Sequence, residues 1–137
     1  MGQTTVRSDE SELRFSSPLA EGMISLLDSF ASYPDGWDSY RAPAPGSLAI
    51  ENAKALVVAA FECEFPCDRV EPSAMGGVGA TFESRGRCVV IEFYNRGTAH
   101  ALFADTSDLE EMITRPVPTT AEGYRNLLAD ARQYLDG

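Results

Sequence analysis

The sequence predicts an α+β fold, and three observations carry that expectation. Apolar residues recur at helical spacing up to about residue 61, at every second position from Val70 to Ala104, and at helical spacing again near the C-terminus. The two periods occupy separate stretches, so the helices are expected to segregate from an antiparallel meander. A chain of 137 residues is long enough to bury one core without disulfides or a metal. The expected organisation is a flexible N-terminal arm over 1–16 and a single α+β domain over 17–137.

The arm mixes Ser, Thr and charge without a period, with Leu13 and Phe15 available to anchor its end. Ser17-Pro18 then supplies a capping hydroxyl followed by proline at the first helical position. Leu19, Met23, Leu26, Leu27 and Phe30 form the stripe of a first helix, which Pro34 ends. A connector of about a dozen residues follows, longer than most links between helices. A second helix is expected from Leu48 to Phe61, capped by Ser47. Ile50, Ala53, Val57, Ala60 and Phe61 share one face, while Leu56 and Val58 widen its apolar surface.

From Val70 the period becomes two. Val70 to Ala74 reads as a short edge strand because it contains Pro72. Val78 to Glu83, Arg87 to Tyr94 and Thr98 to Ala104 read as strands, separated by turns at Arg85-Gly86 and Asn95-Arg96-Gly97. The sheet is therefore expected to have three to four strands. Ser107 with Glu110 matches a capping box, which predicts a short helical turn over Asp108 to Ile113. Thr119 with Glu122 matches a second one, opening a final helix whose stripe is Tyr124, Leu127, Leu128, Ala131 and Leu135.

Composition excludes several functions. The net charge of −10 repels nucleic-acid phosphate and anionic lipid, so neither direct nucleic-acid binding nor membrane binding is expected. A basic protein partner suits that charge. Three cysteines, an odd number, argue against a disulfide framework. With a polar start and no apolar run of bilayer length, the expected location is the cytoplasm.

No set of residues announces catalysis. His100 is the only histidine, and Cys88 lies one strand away from it. General-base work would need a nucleophile beside that histidine and a third group to orient it. Cys63, Cys67, Cys88 and His100 lack the paired spacing of a structural zinc site. The acids Asp105, Asp108, Glu110 and Glu111 do not follow a calcium-loop pattern. Gly76-Gly77-Val78-Gly79 lacks the Lys-Ser/Thr of a phosphate loop. Arg85, Arg87 and Arg96 offer a small positive patch at two hairpin turns. No cofactor or metal is expected.

The densest stretch is Asp35-Gly36-Trp37-Asp38-Ser39-Tyr40, followed by Arg41 and a Pro-containing run. Two large aromatics on a long loop, flanked by charge, resemble a binding hot spot. They equally suit a loop anchored on the core by its indole. Asp35, Trp37, Asp38, Tyr40 and Arg41 are the candidate partner-binding residues. The exposed members of the group, Asp35, Tyr40 and Arg41, are the better candidates for contact.

Asp35, Gly36, Trp37, Asp38 and Tyr40, with Gly76-Gly77 before Phe82 and the strand Val89 to Phe93, resemble a set of small uncharacterised bacterial and mobile-element proteins. In those proteins the tryptophan motif also precedes a helix and a short sheet. The resemblance covers about two-thirds of the chain and implies the fold without an activity. The expected function is a non-catalytic protein-binding module of the antitoxin, immunity or inhibitor type, docking on a basic protein. Two alternatives stay open. One is a small hydrolase using Cys88 and His100, or Asp35 and Asp38; the other is a homo-oligomeric structural subunit.

Overall fold

The computed structural model describes residues 18–137. The expected arm over 1–16 and the cap at Ser17 lie outside these residues. Helix α1 (Pro18–Ser29) tightens into a 3-10 turn over Phe30–Ser32 and ends where Tyr33 turns extended ahead of Pro34. It buries Ala20, Met23 and Leu27, with Phe30 following in the turn. Leu19 and Leu26, expected in the same stripe, are exposed. The helix packs mainly on α2 and one edge strand, so a narrow stripe suffices.

Helix α2 (Ser47–Glu62) buries Ala49, Ile50, Ala53, Leu56, Val57 and Ala60, a wide face that serves α1, the sheet and the last helix together. Its cap is Gly46 rather than Ser47, which is already helical. The last helix, α3 (Ala121–Asp136), buries all five residues of its expected stripe. Its cap lies one residue beyond the expected one. The Gly123 N–H donates to Thr120 Oγ1 at 3.0 Å.

Between α2 and α3 lies a sheet of five strands rather than three to four: β1 (Arg69–Ser73), β2 (Gly77–Ser84), β3 (Arg87–Tyr94), β4 (Ala99–Asp105) and β5 (Asp108–Pro116). They run antiparallel in sequence order. The helical turn expected after Ser107 is the start of β5. Asp105 Oδ1 accepts from both the N–H and the hydroxyl of Ser107, at 2.9 and 2.6 Å, so Ser107 closes a hairpin instead of capping a helix. The open edge of β4 then pairs with the following residues, from Asp105 opposite Asp108 through a register shift to Phe103 opposite Ile113 and on to His100 opposite Pro116, and this outweighs a local capping preference worth about 1 kcal/mol. Arg85 and Gly86 both have positive φ, of 52° and 81°, which identifies the β2–β3 link as a type I′ turn.

The core uses one face of this sheet. Val78, Ala80, Phe82, Val89, Ile91, Phe93, Ala101 and Phe103 join the buried residues of the helices in a single cluster. On the other face, Cys88, Val90, Glu92, His100 and Leu102 are half-buried. No helix among the described residues is long and apolar enough to cross a membrane.

Two glycines should respond oppositely to alanine. Gly22 lies in α1 with open space around it, so Gly22→Ala should raise stability by about 0.5–1 kcal/mol in urea unfolding. Gly77 has φ +138°, and a Cβ there would overlap the Phe93 carbonyl, so Gly77→Ala should cost at least about 2 kcal/mol.

Tyr124 is 3% exposed, sits edge-on to Phe93 and has a buried hydroxyl without a partner among the described residues. Burial pushes its pKa up to about 12, from an ordinary value of 10. The folded form therefore holds a proton that the unfolded chain releases at lower pH. That stability is fully present below pH 10 and is lost as pH rises toward about 12. Tyr124→Phe should flatten this alkaline loss, measured by unfolding midpoints against pH, and should cost little at neutral pH because no hydrogen bond is removed.

Candidate functional site: a braced loop at one end of the sheet

The loop from Asp35 to Gly46 folds on its own side chains. Gly36, at φ +78°, donates its N–H to the Ala42 carbonyl at 2.8 Å, and Ser39, at φ +69°, donates to Gly36 at 3.0 Å. Asp38 Oδ1 accepts from the N–H groups of Tyr40 and Ala42, at 2.9 and 3.3 Å. Asp35 Oδ1 accepts from the Ala44 N–H at 2.8 Å, across nine residues. Each short acidic side chain thus satisfies backbone donors that no helix or sheet serves.

Trp37 is half-buried. Its indole Nε1–H donates to the Pro43 carbonyl at 3.2 Å, and its ring stands edge-on to Tyr33, which in turn meets the buried Phe30. The tryptophan therefore joins the loop to the end of α1. Tyr40 points the other way and is 84% exposed, and Arg41 beside it is exposed too. The five candidate residues divide accordingly. Asp35, Trp37 and Asp38 brace the loop; Tyr40 and Arg41 are displayed by it. Asp35 is exposed as expected, but its carboxylate is committed to the loop.

Asn95 fixes the loop to the sheet. Its Oδ1 accepts from the Gly46 N–H at 2.6 Å, and its Nδ2 donates to the Ala44 carbonyl at 2.9 Å. Its own N–H donates to Gly76 in the β1–β2 turn at 3.2 Å, and Pro43 packs on Gly76. This end of the sheet consequently gathers the loop, the β1–β2 turn and the β3–β4 turn. Met75, 75% exposed, stands in the first of those turns, and the exposed Leu48 lies against Gly97 in the second. Sequence reading missed Asn95 and Met75 as parts of the site. Asn95 sits in a tripeptide that already reads as a turn, and its long-range bonding has no local signal.

The remaining chemical candidates are not brought together. Cys88 stands opposite Ala104, and His100 opposite Glu92. Cys88 and His100 are thus four residues apart along the strands, about 13 Å by the strand rise. The cross-strand neighbour of His100 is a carboxylate. Glu92 Oε2 and His100 Nδ1 are both buried without a hydrogen-bond partner among the described residues. Cys67 donates weakly to the carbonyls of Arg69 and Thr81, and burial pushes its pKa up to about 11, which leaves an inert thiol at neutral pH. Among the described residues, no three His, Cys, Asp or Glu side chains form a metal-binding group.

The three arginines do not form one patch either. Arg87 and Arg96 flank opposite ends of β3. Arg87 pairs with Asp105 and donates to the Tyr134 carbonyl, whereas Arg96 lies over Tyr94. Two bonds from Ser107, with the Arg87 guanidinium adding to them, hold the Asp105 carboxyl below its ordinary pKa.

Asn95→Ala leaves the Gly46 N–H and the Ala44 carbonyl without partners and should cost about 1–3 kcal/mol in chemical unfolding. Tyr40→Ala, on an exposed side chain, should stay within about 0.5 kcal/mol of the parent. Comparisons with protein-family models, curated proteins and solved structures found no match for this chain, so the site's own geometry carries the functional reading.

Proposed function

We propose that this protein is a non-catalytic binding module that docks on a basic protein, in the manner of an antitoxin, immunity protein or inhibitor. The observation that carries the reading is Tyr40, 84% exposed on a loop held by Asp35, Asp38 and Asn95. An exposed aromatic on a braced loop loses little conformational entropy when it binds, and tyrosine offers apolar area with a polar tip. Met75 and Leu48, exposed at the same end, extend the contact. The net charge of −10 steers the approach of a basic partner. The contact set is therefore Tyr40, Arg41, Met75 and Leu48, with Trp37, Asp35 and Asp38 as the frame.

The test is affinity capture from the source cell with the full chain, followed by titration of the captured protein. A basic partner retained at low salt and weakened at higher salt supports the reading. Tyr40→Ala should then weaken binding at least about tenfold while leaving the unfolding midpoint unchanged. Affinity unchanged in both the Tyr40→Ala and Met75→Ser variants, or no partner at any salt concentration, would overturn it.

A further inference from the structure

β1 and β5 form the two edges of the sheet, and they are protected unequally. β1 has five residues, contains Pro72 and packs against α1. β5 has nine residues, and among the described residues no strand pairs with its outer side. Ile113, opposite the buried Phe103 and so on the face that the helices cover elsewhere, is 59% exposed.

Backbone geometry identifies the free groups of β5. The Val117 N–H donates to the Ala99 carbonyl at 2.9 Å, and the same register continues through Arg115 opposite Ala101 and Ile113 opposite Phe103. Antiparallel alternation then turns the N–H and C=O of Ile113 and Arg115 toward β4, and those of Thr114, with Met112 at the point where the register shifts toward the Asp105–Asp108 pair, away from the sheet. Pro116 occupies the next outward position, where a missing N–H closes the usable edge.

Side chains on the helix face add charge to this edge. Glu111 and Ile113, with Met112 between them, line a cleft of about 360 Å³ against Tyr134. Ile113 and Arg115 line an adjoining cleft of about 350 Å³ with Asp130 and Tyr134. Arg115 is held in place by Asp130 at 2.7 Å and lies over the Phe103 ring.

We propose that two copies of this chain join through β5, antiparallel and centred on Ile113, into one sheet with five strands from each copy. In that register Met112 of each copy exchanges backbone hydrogen bonds with Thr114 of the other. Ile113 meets its own equivalent between the two α3 helices. Glu111 stands opposite Arg115 twice in each dimer, an opposite-charge pairing that stabilises antiparallel neighbours. Moving the centre by one residue sets Ile113 against Glu111 or against Arg115 and loses both ion pairs, so charge selects the register. This surface is separate from the loop end that carries Tyr40.

Light scattering of the full chain, after gel filtration at about 0.15 M salt, where the screening length of about 8 Å limits repulsion between two acidic copies, should give a dimer mass. Thr114→Pro removes one outward donor from each copy at a position where the fold does not use it, and should give a monomer with an unchanged circular dichroism spectrum. Glu111→Arg and Arg115→Glu should each weaken self-association about tenfold. Mixing those two variants should restore the dimer. The introduced arginine of one copy would then face the introduced glutamate of the other, and the native Arg115 of the first would face the native Glu111 of the second. A monomer at every concentration overturns the proposal. So does a dimer that survives Thr114→Pro, or a mixture of the charge variants that fails to associate.

Discussion

The bidentate side chain of Asn95 is the constraint on which this end of the molecule depends. With its amide on Gly46 and Ala44 and its backbone on Gly76, one residue joins two sheet turns to the entry of the central helix. The helix itself begins without a side-chain cap, so Asn95 serves a backbone group that no local residue serves. Glycine at 46 is part of the same arrangement, because a Cβ there would sit 3.1 Å from Asn95 Oδ1. The close approach and the hydrogen bond require each other.

That clasp changes the meaning of the tryptophan motif. Asp35, Trp37 and Asp38 commit their polar groups to the loop's own backbone, which leaves them structural. Tyr40 is turned outward as a consequence, since Asp38 bonds its N–H and leaves its ring in solvent. Frame and display are adjacent residues in one motif. A rigid display of this kind is what an interface residue needs, and it follows from hydrogen bonds made entirely within the chain.

Placing all helices on one face has a second consequence. The helices pack chiefly on β2 and β3, and α3 meets the last strand along open clefts beside the Arg115–Asp130 pair. Ile113 therefore keeps the apolar character of a core position without a helix to cover it. The opposite edge has no such excess, because proline interrupts β1 and α1 lies against it. The asymmetry between the edges comes from how far the helical layer reaches.

Much of the fold is legible in the sequence. The two periods locate α2, β2, β3, β4 and α3, and the α3 stripe can be read directly because a helix with one buried face repeats its pattern locally. Proline punctuation locates the end of α1 and the edge character of β1 for equally local reasons. β5 is not legible. Ser107 and Glu110 match a capping box, and only the waiting edge of β4 makes that stretch a strand. Leu19 and Leu26 fit a helical stripe that has nothing on their side to meet. In the candidate site, the residues from Asp35 to Arg41 stand out in the sequence, since such composition is visible one residue at a time. Which of them face inward is decided by bonds to the loop's own backbone and by the Tyr33 ring, while Asn95, about fifty residues further along, holds the far end of the loop at Ala44 and Gly46. Patterns set by a regular period can be read from the chain; the direction of a side chain in a loop is set by the folded path of the loop, which the sheet fixes at its far end through Asn95.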